Sequence, residues 1–235
     1  MYSFDGRIRY SEVNNDLKLS YYGLMNYFQD SSIFNSDDLG IGVKFLSERN
    51  QGWIVALYTL KVFKRPSLDD HVVISTNPYQ LRGMMGNRYF EMTSPEGEIY
   101  AAADTSWILM DLEKMKPMRI PEDVMKYEAE PKKDIDFAST KLHIMEGLEK
   151  VDELLVSSMF IDTNFHMNNA YYVQIAEKNL PTEFDFQKGD IVINFKKAAL
   201  LNDRIDVYRV CDGDVCQIVL KKDDEVYTIV EFRKE

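Results

Sequence analysis

The sequence is poor in the residues that build metal sites and disulfide scaffolds. It holds two cysteines, Cys211 and Cys216, and three histidines among 235 residues. The five-residue spacing of the cysteines is unlike that of a zinc knuckle, and no histidine lies near them in the sequence. We therefore expect ordinary strand residues with free thiols in a reducing cytoplasm, and neither a metal site nor a bound cofactor.

An excess of positive charge and a long hydrophobic run are also missing. The net charge is −11, whereas a protein that binds nucleic acid through its phosphates has a basic domain. The longest apolar stretches are far shorter than the roughly 20 residues that cross a bilayer, and the first residues lack the basic and apolar regions of a signal peptide. The sequence predicts a cytoplasmic protein without nucleic-acid binding or stable membrane insertion.

One order of sequence patterns occurs twice, with a helical segment followed by strands. Tyr27 and Gln29 match Tyr172 and Gln174 at an offset of 145 (172 − 27 and 174 − 29). Candidate strands are 53–63, 71–76, 87–93 and 99–110 in the first copy, and 190–197, 204–210, 215–221 and 225–233 in the second. These patterns predict an α+β fold in which an antiparallel sheet curls around a buried helix in each copy.

The two copies define the expected domains. The first covers 1–120 and the second 141–235. Residues 121–140 are charged, hold two prolines and show little apolar periodicity, which is typical of a linker.

Residues able to work on a proton or a carbonyl cluster in the second copy. Asp162, Asn164 and His166 occupy alternate positions, so an extended segment would place all three side chains on one face. Asn168 and Asn169 follow, where a helix is expected to begin, and asparagine is a favoured helix N-cap. A carboxylate, an amide and an imidazole beside free helix N–H groups suit hydrolysis of an activated acyl group.

These patterns together resemble the acyl-ACP thioesterase family, which includes plant FatA and FatB enzymes and bacterial relatives. Asp162 to Tyr172 fits the family segment Asp-x-Asn-x-His-x-Asn-Asn-x-x-Tyr. Gly97-Glu98, Thr105-Ser106-Trp107 and Arg119-Ile120-Pro121-Glu122 follow in the family's order. The resemblance implies two tandem hotdog repeats (a double hotdog) and release of free fatty acid from fatty acyl-acyl carrier protein.

The residue roles follow from the residue types and from this resemblance. Asp162 is expected to activate water or to attack the carbonyl itself, with His166 and Asn164 assisting. Asn168 and Asn169 would position the substrate oxygen at the helix start. Plant members have a catalytic glutamate where this chain has Ala198, so here the chemistry would rest on the other three residues.

Two further expectations concern the substrate. The acidic carrier protein would dock on a local basic surface, for which Lys196 and Lys197 are the favoured candidates. The offset of 145 pairs the three catalytic positions with Leu17, Leu19 and Tyr21, so the first copy would lack the catalytic set and form an acyl-chain pocket. Its expected lining comes from the first helix, at Leu24, Met25, Tyr27, Phe28 and Ile33.

Three alternatives remain open at this point. The same side chains would serve an acyl-CoA thioesterase, a hotdog dehydratase is a weaker fit, and a non-catalytic acyl-binding protein could share the fold. Two repeats in one chain are compatible with a monomer or with a homodimer.

Overall fold

The computed structural model describes residues 1–127 and 129–235, and Glu128, in the predicted linker, lies outside the described residues. Among the described residues the strands are β1 (Tyr2–Arg7), β2 (Gln51–Val62), β3 (His71–Arg82), β4 (Met85–Thr93), β5 (Ile99–Asp111), β6 (Lys116–Pro117), β7 (Glu149–Leu155), β8 (Gly189–Phe195), β9 (Arg204–Asp212), β10 (Val215–Lys222) and β11 (Glu225–Lys234). The α-helices are α1 (Tyr21–Asp38), α2 (Val43–Ser47) and α3 (Asn169–Lys178). The α+β class predicted from the sequence is confirmed.

One continuous antiparallel sheet contains all the strands. The order is β1-β3-β4-β5-β2-β8-β11-β10-β9-β7, with β6 paired to β5 at the side. The two halves of the chain meet where β2 pairs with β8, from Leu57 opposite Asn194 to Val62 opposite Gly189. The strands that alternation and turn residues predicted are all present. Their bounds agree within two residues, except that β3 continues to Arg82, six residues beyond its predicted end.

The two edge strands and the short helix α2 escaped the sequence-based prediction. β1 contains a glycine, and its exposed alternate positions are Ser3, Asp5 and Arg7. β7 is largely charged. Such a composition is a weak strand signal, but it suits an edge strand because polar groups there discourage pairing with other molecules. α2 has only five residues, too few for apolar periodicity to be visible.

The two longer helices lie against the same face of the sheet and contact each other. α1 begins after Ser20, whose side chain accepts a hydrogen bond from the Gly23 N–H at 3.0 Å. Its buried side chains include Leu24 and Phe28, which join residues of both halves in one hydrophobic core. No helix among the described residues has the length and apolarity needed to span a membrane.

The predicted linker covers the face of the sheet opposite the helices. Ile191 and Ile193 belong to the helix-side core, so alternation turns Asn194 to the other face. There the Asn194 amide donates to the Thr140 carbonyl at 3.0 Å, and the Asn77 amide donates to the Glu130 carbonyl at 2.8 Å. The linker therefore supplies hydrogen-bond acceptors to amides that would otherwise be buried without a partner.

The expectation of free thiols is wrong. Cys211 in β9 and Cys216 in β10 are indeed strand residues, but they lie directly opposite each other in the register and form a disulfide. Antiparallel pairing of the two strands brings the Cα atoms within 4.0 Å. Sequence spacing alone could not reveal the pairing, because the turn between the strands sets it.

Candidate functional site

The segment that carries the candidate catalytic residues is a tight turn, and the predicted extended segment is wrong. The Asp162 N–H donates to the His166 carbonyl at 2.9 Å, and the Phe165 N–H donates to the Asp162 carbonyl at 3.1 Å. Ile161 and Met167 pair as an isolated antiparallel bridge at its base. Asp162 and His166 thus meet across the base of the turn, with Asn164 at its tip.

Local side-chain chemistry explains why the chain turns here. A carboxylate oxygen of Asp162 accepts a hydrogen bond from the Asn164 N–H at 2.8 Å, the arrangement by which aspartate replaces a backbone turn. Phe165 adopts a φ of 62°, an unusual conformation for a bulky residue, and is 81% exposed. One carboxylate oxygen is therefore occupied within the turn, and the other has no hydrogen-bond partner among the described residues.

Helix α3 starts directly after the turn. The Asn168 side chain caps it by accepting from the Ala170 N–H at 2.9 Å, which agrees with the predicted capping role. Asn169 is the first residue of the helix and lines the cavity described next. Its backbone N–H has no acceptor among the described residues, so it is one of the free donors of a helix N-terminus.

A cavity of about 550 Å³ opens beside the turn. On one side it is lined by Asp162, Asn164, His166 and Asn169. On the other it is lined by residues of the first half of the chain, among them Gln29, Ile33, Leu46, Trp53, Trp107 and Leu112. The volume falls within the usual range of small-molecule pockets, and its lining joins a few polar groups to a largely apolar wall.

Only part of the expected pocket lining faces this cavity. Ile33 of α1 lines it, whereas Leu24, Met25, Tyr27 and Phe28 do not and are buried in the hydrophobic core. The sequence missed α2, which contributes Leu46 and its neighbours. An apolar stripe on a helix does not by itself distinguish a core face from a ligand-binding face.

Gln29 of α1 also lines this cavity, and it was not predicted as a site residue. Its place follows from an internal repeat of structure. Leu17 and Phe165 share a positive φ, Ser20 and Asn168 are both helix N-caps, and each pair is separated by 148 positions (165 − 17 and 168 − 20).

The sequence-based offset of 145 is therefore wrong by three residues. Residues three apart lie on the same face of a helix, so an alignment shifted by three residues still pairs side chains of similar position. The tyrosine and glutamine matches therefore did not reveal the error. At 148, the counterparts of Asp162, Asn164 and His166 are Asn14, Asp16 and Lys18 rather than three apolar residues.

Internal contacts occupy this second turn. Asn14 donates to a Glu177 carboxylate oxygen at 2.7 Å, Asp16 pairs with Arg65, and Lys18 donates to the Ser67 hydroxyl at 2.8 Å. None of the three lines the large cavity. In the same repeat Glu177 corresponds to Gln29 (177 − 148). Gln29 and Asp162 therefore hold the repeat positions of Glu177 and Asn14, and both line the large cavity.

The segment that holds the candidate docking lysines lies next to the turn. The Ala199 N–H donates to the Tyr172 hydroxyl at 2.9 Å, and the Ala199 carbonyl accepts from the Met167 N–H at 2.9 Å. Lys196 and Lys197 are exposed and do not line the cavity. Lys197 pairs with Glu225, and Lys196 has no ion-pair partner among the described residues.

The chain offers no ready metal site within its described part, where no group of three or more histidine, cysteine or carboxylate side chains converges.

The candidate site consists of a carboxylate, an amide, an imidazole and a free helix N–H beside a largely apolar cavity.

Comparison with known families identifies the first half of the chain. Residues 1–127 match the model described as the acyl-ACP thioesterase N-terminal domain. An acyl-[acyl-carrier-protein] hydrolase of Cuphea viscosissima is 24% identical over 189 residues, which cover 75% of this chain and 46% of the relative. A palmitoyl-acyl carrier protein thioesterase of Gossypium hirsutum is 28% identical over 196 residues, covering 74% and 45%. The chain matches less than half the length of these curated relatives.

Solved structures share the fold over almost the whole chain. An acyl-ACP thioesterase from Bacteroides thetaiotaomicron superposes with a TM-score of 0.88 at 17% identity, covering 99% of this chain and 97% of that one. A 12:0-ACP thioesterase from Umbellularia californica gives a TM-score of 0.83 at 18% identity, covering 98% and 96%. At such identities the likeness establishes a common fold.

Proposed function

The chain belongs to the acyl-ACP thioesterase family, and from this premise we propose that it hydrolyses the thioester of fatty acyl-acyl carrier protein and releases a free fatty acid. One observation supports this most strongly: the turn with Asp162, Asn164 and His166 borders an apolar cavity large enough for an alkyl chain. A thioester at the turn would place its acyl chain in that cavity.

Asp162 would carry the first step. As a general base it takes a proton from water, whose oxygen bonds to the thioester carbon. The C–S bond then breaks, and the thiolate leaves with a proton returned by Asp162 or His166. Direct attack by the carboxylate, through an anhydride that water then hydrolyses, remains the alternative. In both routes, water and thioester become carboxylic acid and thiol.

The negative charge that develops on the carbonyl oxygen needs donors. The free N–H of Asn169, at the start of α3, is suited to this role because a helix N-terminus attracts negative charge. Asn168 acts by capping the helix. Asn164 would position Asp162, since its N–H already holds one carboxylate oxygen. No glutamate at position 198 takes part in this scheme.

The proposed architecture is a double hotdog with units 1–120 and 141–235 and a linker between them. The structural repeat at an offset of 148 supports it, because each unit pairs a capped helix with an equivalent turn. We assign the catalytic set to the second unit and part of the acyl-chain pocket to the first. A cytoplasmic monomer or homodimer is part of the same proposal.

The partner in this scheme is acyl-loaded carrier protein, which is acidic. Lys196 and Lys197 are the proposed docking residues, since they are exposed and their segment bonds to the turn through Ala199. Lys196 is the stronger candidate because Lys197 is engaged by Glu225.

Product analysis tests the proposed activity. Purified protein is incubated with a ladder of acyl-carrier-protein substrates, and the released fatty acids are identified. Asp162→Asn should lower kcat by about 100-fold or more, while the amide oxygen of the new side chain can still accept the Asn164 N–H and preserve the turn. Asp214→Asn, the same change at an exposed aspartate outside the cavity, is the matched control.

The same assay separates the alternatives. Equal kcat/KM on acyl-CoA and on acyl-carrier protein would favour an acyl-CoA thioesterase. Tight binding of acyl ligands without product would favour a binding protein. Full turnover by Asp162→Asn would refute the assignment of Asp162.

A further inference from the structure

A second, smaller cavity adjoins the large one. It measures about 60 Å³ and shares four lining residues with the larger cavity: Ser32, Ser36, Trp53 and Trp107. Since a buried water needs roughly 10–15 Å³ of such space, it has room for several waters or a small polar group. Gln29 is the repeat counterpart of Glu177, which contacts the other turn, and Ser36 lies seven residues further along α1, about 10 Å along the helix axis. We therefore infer that the shared wall leads away from the catalytic turn.

The end of this small cavity carries a buried positive charge. Arg88 of β4 lines it and is only 7% exposed. One guanidinium nitrogen donates to the Asn35 amide oxygen at 3.1 Å and to the Thr76 hydroxyl at 3.3 Å. The Tyr127 ring lies 5.1 Å from the guanidinium carbon. Among the described residues, no carboxylate lies within ion-pair distance of Arg88.

The contrast with Arg65 shows how unusual this is within the chain. Arg65 is equally buried, at 7%, but it pairs with Asp16. Burying a cation without an anion costs free energy, and desolvation accordingly lowers the pKa of Arg88. The guanidinium of Arg88 therefore has hydrogen-bonding capacity left for a ligand, and the adjoining cavity is the space where a ligand would reach it.

We propose that the small cavity is a polar subsite for the far end of the acyl chain, and that Arg88 binds a chain terminating in a hydrogen-bond-accepting oxygen, either a hydroxyl or a carboxylate. This inference rests on the proposed thioesterase function. It assigns the preferred substrate class as thioesters of ω-oxygenated fatty acids.

The other polar groups of the subsite fit the same ligand. The Ser36 and Tyr127 hydroxyls are 2.8 Å apart, and Asn87 adds an amide to the lining. A terminal methyl group placed here would displace water from a guanidinium and return no hydrogen bond. A terminal oxygen would accept a charge-assisted hydrogen bond, so the preference should reach about tenfold or more in kcat/KM.

The test compares substrates of equal chain length that end in methyl, hydroxyl or carboxylate, loaded on the same carrier protein. At the length that reaches the subsite, the wild type should favour one oxygenated end by at least about tenfold. Arg88→Met should abolish that preference. Arg82→Met, which removes an exposed arginine from neighbouring β3 outside both cavities, is the matched control and should keep it.

The hydroxyl and carboxylate arms identify which oxygen is recognised. No preference for either at any chain length in the wild type overturns the subsite, and so does a preference that survives in Arg88→Met. If Arg88→Met does not fold, the wild-type ladder alone decides. Calorimetric binding of free ω-hydroxy and dicarboxylic acids reads the subsite without catalysis, so a failure of the proposed hydrolysis is distinguishable from a failure of the subsite.

Discussion

Replacing Tyr172 by phenylalanine tests how the turn with the candidate catalytic residues is held. Tyr172 is 1% exposed, and its hydroxyl accepts the N–H of the fully buried Ala199. Burial also raises the pKa of Tyr172 well above its usual range, so the hydroxyl stays protonated at neutral pH. Phenylalanine keeps the ring and its edge contact with Phe195 but leaves the Ala199 N–H buried without an acceptor.

Leaving a buried donor unpaired costs about 1–3 kcal/mol, which for a chain of this size lowers Tm by roughly 2–12 °C. The same change should lower kcat, because the Ala199 carbonyl holds the Met167 N–H at the end of the turn. Thermal unfolding and turnover are measured for Tyr172→Phe and for Tyr10→Phe, whose side chain is 79% exposed. A Tyr172→Phe protein with the Tm and kcat of the wild type would refute this account of the turn.

Three further outcomes are expected. Desolvation raises the pKa of Glu177 in the folded state, so the free energy of unfolding of the wild type falls as pH rises through that pKa. Glu177→Gln removes this dependence, so in urea unfolding the variant should gain stability over the wild type between pH 4 and pH 7. Because Gln29 lines the same cavity as Asp162, Gln29→Ala should lower kcat more than it raises KM in steady-state assays. A kcat equal to that of the wild type would show that Gln29 does not assist Asp162. Asn168→Ala removes the α3 cap and should cost about 1 kcal/mol in the same urea unfolding, whereas Asn15→Ala, in an exposed turn outside any helix, should leave stability unchanged.

The sequence predicts the strands well because their signals are local. Alternating apolar residues mark β2 and β8, and turn residues such as Asp223 mark the ends of hairpins. The edge strands lack this apolar alternation, because polar side chains on an edge strand discourage pairing with other molecules. The disulfide depends on the register of β9 with β10, which composition does not determine.

At the site, the sequence identifies residues that lie together beside the cavity, but not their geometry. Asp162, Asn164 and His166 all line the cavity, although they do so from a turn. Alternation suggested a strand because it ignores the bond from the Asn164 N–H to the Asp162 carboxylate. Arg88 and Gln29 come from distant segments, and only the folded sheet and helix pairing place them in two adjoining cavities.

The backbone hydrogen bonds of the turn with Asp162, Asn164 and His166 bear on the energetics of the proposed substrate binding. Its Asp162, Phe165 and Met167 N–H groups each donate to a carbonyl, and the segment is anchored to Ala199 on one side and to Phe160 on the other. A loop tethered in this way is already ordered in the free protein. The substrate then loses little of its interaction energy to freezing the loop, and more is left to favour the reacting geometry.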